Sequence, residues 1–183
     1  MKITALELDG ALLIDLEPIK DDRGFFARSL STFELKTAGI SFTLAQADIS
    51  FSYKRGTLRG MHFQTAPKAQ AKIVRCTRGA LHDVLVDLRP ESRTFKKWAG
   101  FRLDAENRAA LYIPEGFAHG FLTLEDNTEI HYLVSDEYSP PHYKALRWDD
   151  PAVAIQWPFK PVIISEKDAK APTLDSVLGD LGR

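Results

Sequence analysis

Three side chains suited to proton transfer and anion binding lie within fourteen positions of the sequence: Arg59, His62 and Lys72. An imidazole has an unperturbed pKa near ~6.5, so His62 can act as a base at neutral pH. An ammonium or a guanidinium can stabilise negative charge that develops on a substrate. The segments around these residues are rich in β-strand formers. The sequence therefore predicts a cationic acid–base site built on strands.

The spacing of Arg59 and His62 requires a break in regular strand geometry. Successive side chains of a strand point to opposite faces, so residues three apart face opposite sides of a sheet. A bulge or a bend would bring both side chains to one cavity. Gly56 and Gly60 provide the backbone freedom that such a bulge needs.

Lys72 and His62 also have purely structural interpretations. Lys72 shares a strand face with Val74 and Cys76, which places its ammonium inside the protein if those two residues belong to the core. A buried ammonium is rarely kept without an anionic partner, whereas a lysine on an edge strand faces solvent and hinders aggregation. An isolated histidine is often a core imidazole with one backbone hydrogen bond. The functional interpretation of His62 and Lys72 requires that both side chains line the same cavity.

The composition is that of an ordinary globular protein. Of 183 residues, 27% are charged, and the formal net charge is −1, which argues against nucleic acid or a membrane surface as a partner. Cys76 is the only cysteine, so an internal disulfide is excluded and a cytoplasmic location is expected. The N-terminus lacks the apolar core of a signal peptide. The five histidines are scattered, so we expect no metal or other cofactor.

Short apolar runs separated by turn signals predict an all-β fold. Strands are predicted at residues 73–77, 81–88, 97–103, 110–113, 121–124 and 128–134, with weaker strand signals at 6–18 and 25–29. One short helix is predicted over residues 31–36 because hydroxyl caps precede it.

The sequence predicts a single domain over residues 1–183. Its β-barrel core is expected at about 45–135, followed by a C-terminal strap with short helices at 136–183. The proline-rich part of this strap, residues 139–158, is expected to be irregular. Residues 165–181 are expected to form a helical turn or two, interrupted by Pro172.

Ordered motifs along nearly the whole chain resemble one protein family. They are DRGFF at 22–26, GTLRGMHFQ at 56–64, AKIVRC at 71–76, DVLVDLR at 83–89, IPEGFAHGF at 113–121, RWDDP at 147–151 and SEKD at 165–168. With these motifs the sequence resembles the dTDP-4-dehydrorhamnose 3,5-epimerase family. The resemblance implies a cupin-like jelly-roll barrel and metal-free epimerisation of a nucleotide-linked 4-keto-6-deoxyhexose.

The resemblance also implies catalytic roles. The C4 carbonyl of such a sugar acidifies the protons on C3 and C5, so a base can remove one and leave an enolate. His62 matches the family's base and Asp168 the carboxylate that orients it, with Asp83 as a second possible orienting carboxylate. Lys72 matches the donor at the C4 oxygen. Tyr132 matches the acid that delivers a proton to the opposite face of the ring.

The same resemblance implies a binding set and a homodimer. Arg59 and His119 match residues that hold the diphosphate or the sugar, and Tyr138 supports the acid. Arg23 and Phe26 match nucleotide contacts that a partner subunit donates in this family. The predicted binding residues are Arg23, Phe26, Arg28, Gln46, Asp48, Arg59, His119, Tyr138, Tyr143 and Lys167.

Three positions depart from the family's usual pattern. Arg28 replaces a glutamate, Gln46-Ala47-Asp48 replaces Gln-Asp-Asn, and Tyr143 replaces a second glutamate. A glutamate at the first position could accept a hydrogen bond from thymine N3–H, whereas Arg28 only donates. A cytosine or guanine nucleotide is therefore an alternative to the thymidine nucleotide, as is inversion at one carbon only. A metal-dependent cupin enzyme and a non-catalytic sugar-nucleotide binding module are alternatives from other classes.

Overall fold

Two β-sheets form the body of the protein in the computed structural model, which describes residues 1–181. In spatial order, the first sheet contains β1 (Lys2–Ala5), β2 (Leu12–Asp15), β10 (Ala110–Ile113), β7 (Lys72–Arg78), β12 (Thr128–Val134) and β5 (Gln46–Ser52). The second contains β13 (Tyr143–Ala145), β6 (Thr57–Gln64), β11 (Phe117–Thr123), β8 (Ala80–Asp87) and β9 (Trp98–Asp104), while β14 (Ile163–Ile164) pairs in parallel with β6.

The remaining elements lie outside the two sheets. The strands β3 (Ile19–Asp21) and β4 (Gly24–Phe26) form a separate exposed hairpin. The helices are α1 (Thr32–Thr37), α2 (Glu166–Ala169) and α3 (Leu174–Leu181). The hydroxyl of Ser31 caps α1 by accepting a hydrogen bond from the Glu34 backbone N–H, so the predicted short helix and its cap are confirmed. Within residues 1–181, no helix is long and apolar enough to cross a membrane.

The main core lies between the facing sheets. Val74 and Cys76 from β7 pack with Leu85 from β8 and Phe121 from β11, and all four are essentially inaccessible to solvent. Burying one such large apolar side chain stabilises the fold by about 1.5–3 kcal/mol. The predicted all-β, cupin-like jelly roll is therefore confirmed.

A second apolar cluster lies on the outer face of the second sheet. There Met61, Val84 and Val86 pack against Val153 and Leu174 of the C-terminal segment. Three carboxyl-terminal stretches cover this sheet. β13 and β14 pair with the same edge of β6, near its C-terminal and N-terminal ends respectively, because β11 occupies the other edge. The helix α3 covers the face. The prediction of an irregular strap over residues 139–158 is wrong at β13. The sheets also extend beyond residues 45–135, because β1, β2, β13 and β14 belong to them.

The predicted bulge is present between β6 and β11. His62 lies opposite His119, but Arg59 lies opposite Phe121, so three steps on β6 span two steps on β11. Gly60 has φ +134°, and a Cβ added to it would lie 2.5 Å from the Cα of the facing glycine on β11. The close approach and the backbone conformation both require glycine at position 60. As a result, Arg59 and His62 line the same cavity.

Lys72 lies in the interior of the first sheet. Its strand β7 is hydrogen-bonded to β10 on one side and to β12 on the other, so the alternative of a lysine on an edge strand is wrong. Lys72, Val74 and Cys76 are all buried, at 9%, 0% and 1% exposure. The shared inward face predicted from the sequence is confirmed.

Candidate active site

A cavity of about 570 Å³ is lined by residues of β5, β7 and β12 from the first sheet and of β6, β11, β13 and β14 from the second. Its lining combines polar groups with apolar side chains such as Leu58 and Ile164. The structure brings together in it nine of the residues predicted to form the site: Asp48, Arg59, His62, Lys72, His119, Tyr132, Tyr143, Lys167 and Asp168.

His62 and Asp168 form a hydrogen-bonded pair at the wall of this cavity. The imidazole Nε2 lies 2.7 Å from Asp168 Oδ1, and Asp168 Oδ2 accepts a hydrogen bond of 3.3 Å from the Gly60 N–H. Burial disfavours the carboxylate, but the hydrogen bond and charge of His62 hold the pKa of Asp168 below its usual value. An ionised Asp168 fixes the orientation of the imidazole through Nε2. The other ring nitrogen, Nδ1, is then the one that does not contact Asp168.

The position of Asp168 depends on the C-terminal segment. Asp168 lies in the first turn of α2, where its N–H donates to the Ser165 Oγ at 3.1 Å. The preceding strand β14 pairs Ile164 with Leu58 of β6. Because β14 pairs with β6, the Asp168 carboxylate lies next to the imidazole of His62, which is also on β6.

Lys72 is the buried cation of the site. Its Nζ donates a hydrogen bond of 3.2 Å to the backbone carbonyl of His62. Burial lowers the pKa of Lys72 to about 8, although the negative charge of Asp83 acts in the opposite direction. The ammonium is therefore the main form of Lys72 at neutral pH, close to His62.

A second histidine–carboxylate pair lies deeper. His119 Nε2 lies 3.0 and 2.9 Å from the two carboxylate oxygens of Asp83. The pair is almost fully buried, with His119 at 3% and Asp83 at 0% exposure. Asp83 therefore orients His119, and the possibility that it orients His62 is wrong, because the His62 partner is Asp168.

Tyr132 brings a neutral phenol to the same cavity. Its ring packs edge-on to the His119 imidazole, with centroids 6.0 Å apart. Burial strongly raises the pKa of Tyr132, and the nearby charge of Asp83 raises it further, while Arg59 acts in the opposite direction. The phenol is thus fully protonated at neutral pH and available as a proton donor.

An aromatic wall closes the side of the cavity next to His62. The Tyr143 ring lies 5.3 Å from the imidazole, and the Lys167 ammonium lies 3.9 Å above the Tyr143 ring centroid. Burial raises the pKa of Tyr143. Tyr138 packs against the outer side of Tyr143 at 5.6 Å but does not line the cavity.

Arg59 and Asp48 lie near the mouth. The Arg59 guanidinium donates to the Ser52 Oγ at 3.2 Å and to the Phe51 carbonyl at 3.0 Å. Asp48 accepts two hydrogen bonds from the Gln46 side-chain amide, at 2.8 and 2.9 Å. A guanidinium has five N–H donors, so Arg59 retains donors for an anion.

Five predicted binding residues do not line the cavity: Arg23, Phe26, Arg28, Gln46 and Tyr138. Arg23 pairs with Asp21 at 2.6 Å on the β3–β4 hairpin, where Phe26 is 75% exposed. Arg28 pairs with Glu34 at 2.7 Å. The guanidinium of Arg28 is thus paired within its own chain.

Four polar residues line the cavity without having been predicted as site residues: Ser50, Thr57, Gln70 and Ser165. Ser50 lies two positions after Asp48 on β5, so the period of two along a strand was the available signal for it. Gln70 precedes β7 and had no such signal. Among residues 1–181, no group of three or more His, Cys, Asp or Glu side chains is arranged to hold a metal ion.

Comparison with known proteins identifies the family. The family model described as dTDP-4-dehydrorhamnose 3,5-epimerase matches residues 5–176. The chain belongs to this family. An epimerase of this family from Sinorhizobium fredii is 43% identical over 95% of this chain and 90% of its own length. The Salmonella typhimurium epimerase is also 43% identical, over 97% of this chain and 98% of its own length.

Solved epimerase structures share the fold. The Bacillus anthracis enzyme with TDP and PPi bound has a TM-score of 0.90 at 42% identity, covering 94% of this chain and 98% of that chain. The Legionella pneumophila enzyme in complex with dTDP-4-keto-L-rhamnose has a TM-score of 0.91 at 35% identity, covering 98% and 96%. A His→Asn, Tyr→Phe double mutant of the 3'-monoepimerase ChmJ from Streptomyces bikiniensis, with dTDP, has a TM-score of 0.88 at 34% identity, covering 97% and 89%.

Proposed function

We propose that this chain inverts C3 and C5 of dTDP-4-dehydro-6-deoxyglucose by removing and returning a proton through an enolate. The observation that carries this proposal is the convergence of a base, an oxyanion donor and a phenol on one cavity. His62, Lys72 and Tyr132 all line it, and Asp168 supports the base. Membership of the epimerase family supplies the substrate class.

His62 acts as the base in this proposal. Its Nε2 is occupied by Asp168, so Nδ1 is the nitrogen that takes the proton from C3 or C5. The carboxylate stabilises the imidazolium that forms and keeps the ring in one orientation. A positioned general base of this kind contributes about 10²–10⁴-fold to the rate.

Lys72 stabilises the enolate. Negative charge moves from the carbon to the C4 oxygen as the proton leaves, and a buried ammonium directed at that oxygen stabilises it without solvent reorganisation. One such preorganised donor contributes about 3–4 kcal/mol to the transition state. Since burial lowers the pKa of Lys72 to about 8, the group is also a better proton donor than an exposed lysine.

Tyr132 returns the proton to the opposite face of the sugar ring, which completes the inversion. Its neutral phenol suits this role because burial keeps it protonated. The ChmJ double mutant supports the assignment of His62 as the base and Tyr132 as the acid. Its substituted histidine and tyrosine are separated in sequence by the same number of residues as His62 and Tyr132.

A homodimer would complete the nucleotide site. Ile19 and Phe26 on the β3–β4 hairpin are 73% and 75% exposed, and exposed apolar side chains of this size are typical of an interface. In the proposed dimer, Arg23 and Phe26 reach the nucleotide in the partner's cavity. Size-exclusion chromatography with light scattering should give twice the chain mass.

The thymidine nucleotide is favoured over cytidine or guanosine nucleotides. The Legionella relative binds a dTDP sugar, and the ChmJ mutant binds dTDP. Arg28, the residue that suggested another base, is paired with Glu34 at 2.7 Å. A direct comparison of dTDP, CDP, GDP and UDP binding tests this choice, and tighter binding of CDP or GDP would contradict it.

Solvent-deuterium incorporation is the deciding experiment. Incubation of dTDP-4-dehydro-6-deoxyglucose with the protein in D₂O should label both C3 and C5, as read by NMR. His62→Asn is the matched control and should label neither. Labelling at one carbon would make the protein a monoepimerase, and absence of labelling with any nucleotide sugar would contradict epimerisation.

The same assay separates the two alternatives from other classes. A metal-dependent cupin enzyme should lose activity after treatment with a chelator, whereas the proposed epimerase should retain it. A non-catalytic binding module should bind dTDP without exchanging protons.

A further inference from the structure

A second cavity of about 350 Å³ lies beside the catalytic one, on the outer side of β13. Its apolar floor is formed by Phe63, Ala145 and Val177, which are 4%, 9% and 4% exposed. Small-molecule sites typically occupy about 300–1,000 Å³ and combine an apolar lining with a few polar groups. This cavity therefore has the size and the floor of a ligand site.

The polar groups of the second cavity are lysines. Lys144, Lys167 and Lys170 line it, and the residues lining it include no carboxylate. Lys170 also pairs with Glu166, one turn earlier on the chain. Lys144 is half-buried, and among the side chains of residues 1–179 no carboxylate lies within 4.0 Å of its ammonium. The lining of the second cavity thus carries a surplus of positive charge in a protein whose formal net charge is −1.

The two cavities share a wall. Tyr143 and Lys167 line both of them. The Lys167 ammonium lies over the Tyr143 ring at 3.9 Å, and the same ring lies 5.3 Å from the His62 imidazole, centroid to centroid. A cation–π contact at a partly exposed site contributes only about 0.5–1 kcal/mol. An anion in the second cavity can therefore compete for this ammonium.

We propose that the second cavity is an anion site for a phosphate or diphosphate group, separate from the catalytic cavity and coupled to it through Lys167. Lysine ammoniums bind phosphate oxygens as point charges, and three of them line a cavity of about 350 Å³, which is large enough for a diphosphate. Occupation of the site draws Lys167 away from the catalytic side. The proposed consequence is a higher KM for the nucleotide sugar, with little change in kcat.

Calorimetric titration of inorganic pyrophosphate tests the proposal. The protein is first loaded with one equivalent of dTDP, which under the proposed function occupies the catalytic cavity. Pyrophosphate should still bind with one further equivalent per chain, and more weakly at high ionic strength. The Lys144→Gln/Lys170→Gln double variant should bind this equivalent at least about tenfold more weakly, a loss of about 1.4 kcal/mol.

A matched control carries the same change of charge elsewhere. Lys2→Gln/Lys36→Gln removes two exposed lysines that line neither cavity, and it should bind pyrophosphate like the wild type. Without pyrophosphate, both double variants should keep the wild-type kcat/KM. With pyrophosphate, the rise in KM should be smaller for Lys144→Gln/Lys170→Gln than for the wild type.

Two results would overturn the proposal: no pyrophosphate bound to the dTDP-loaded protein, or equal binding to the wild type and to Lys144→Gln/Lys170→Gln. The proposal rests on the proposed function in the use of dTDP to fill the catalytic cavity and in the expected rise in KM, whereas pyrophosphate binding itself is independent of that function. Failure of that function is detected separately, because dTDP alone would then not bind in the first titration.

Discussion

The protein contains two histidine–carboxylate pairs, each joined through the Nε2 of the histidine. The His62–Asp168 pair has an Nε2–Oδ1 distance of 2.7 Å, and the His119–Asp83 pair has distances of 2.9 and 3.0 Å. They differ in solvent exposure: the His62 side chain is 26% exposed and that of His119 only 3%. Both imidazoles line the catalytic cavity.

We expect the difference in solvent exposure to give the two pairs different roles. A base must exchange its proton with substrate and solvent, which the more open His62 can do. Charging a fully buried imidazole is costly unless its carboxylate neutralises it. We therefore expect the inner pair to hold Asp83 in place, where its charge acts on both Lys72 and Tyr132. Under the proposed function, we expect the outer pair, His62–Asp168, to move protons and the inner pair, His119–Asp83, to set the electrostatics.

Replacing each histidine by asparagine should separate the two roles most clearly. His62→Asn should lower kcat by about 10³-fold because the base is lost, with little change in the melting temperature. His119→Asn should lower the melting temperature, since it leaves Asp83 without its partner, and should reduce kcat much less. Steady-state kinetics and calorimetry on both variants check this, and equal losses of kcat would contradict the division.

Tyr132→Phe should prevent proton return to one face of the sugar ring and leave proton removal from the other face intact. His62 would still exchange the proton with solvent, so deuterium should enter the substrate, while inversion should fall by about 10²-fold or more. NMR of the labelled sugar distinguishes retained from inverted configuration. Normal inversion by this variant would show that Tyr132 is not the acid.

Asp168→Asn should weaken the outer pair without removing the base. An asparagine cannot stabilise the imidazolium, so kcat should fall by about 10²-fold, with KM nearly unchanged. Asp168→Glu serves as the control that keeps the charge but shifts it. A large increase in KM with constant kcat would instead indicate that Asp168 binds substrate.

Removal of Asp83 should affect stability more than removal of Asp168. Breaking a buried pair costs about 3–5 kcal/mol, so Asp83→Ala should lower the free energy of unfolding by about that amount. Asp168→Ala breaks a pair that is more open to solvent and should cost about 1 kcal/mol. Urea denaturation of the two variants gives the comparison, and a larger loss for Asp168→Ala would contradict it.

The smallest expected effect is a shift in pH dependence. Lys72 must be protonated to stabilise the enolate, and its pKa is lowered to about 8, so kcat/KM should decline as the pH rises above about 8. The charge of Asp83 raises this pKa. Asp83→Asn removes that charge and should move the alkaline decline to lower pH. An unchanged profile would show that Asp83 does not act on Lys72.

Much of this architecture is predictable because it is local. The alternation around Val74 and Cys76 indicates which face of β7 points inward, and the glycine at position 60 allows the bulge that unites Arg59 with His62. The short strands β13 and β14 are not predictable in this way, because three-residue and two-residue strands owe their conformation to pairing with β6. Propensity contributes little over such lengths.

The site was harder to predict where its contacts join distant segments. The family motifs supplied Asp168 as a partner for His62, but nothing in the spacing of Asp83 and His119 identified them as a second pair. The Arg28–Glu34 pair spans only six positions, yet the departure of Arg28 from the family pattern suggests a role at the nucleobase. A charged side chain pairs with whichever partner the fold brings close, and one sequence does not rank those partners.

The pairing of β14 with β6 has a consequence for biosynthesis. Asp168 follows His62 by 106 positions, so the ribosome synthesises the imidazole well before the carboxylate that pairs with it. Most of both sheets can assemble during that interval, and the His62–Asp168 pair forms only when β14 and α2 dock. Under the proposed function, each chain therefore becomes catalytically competent only after its core has formed.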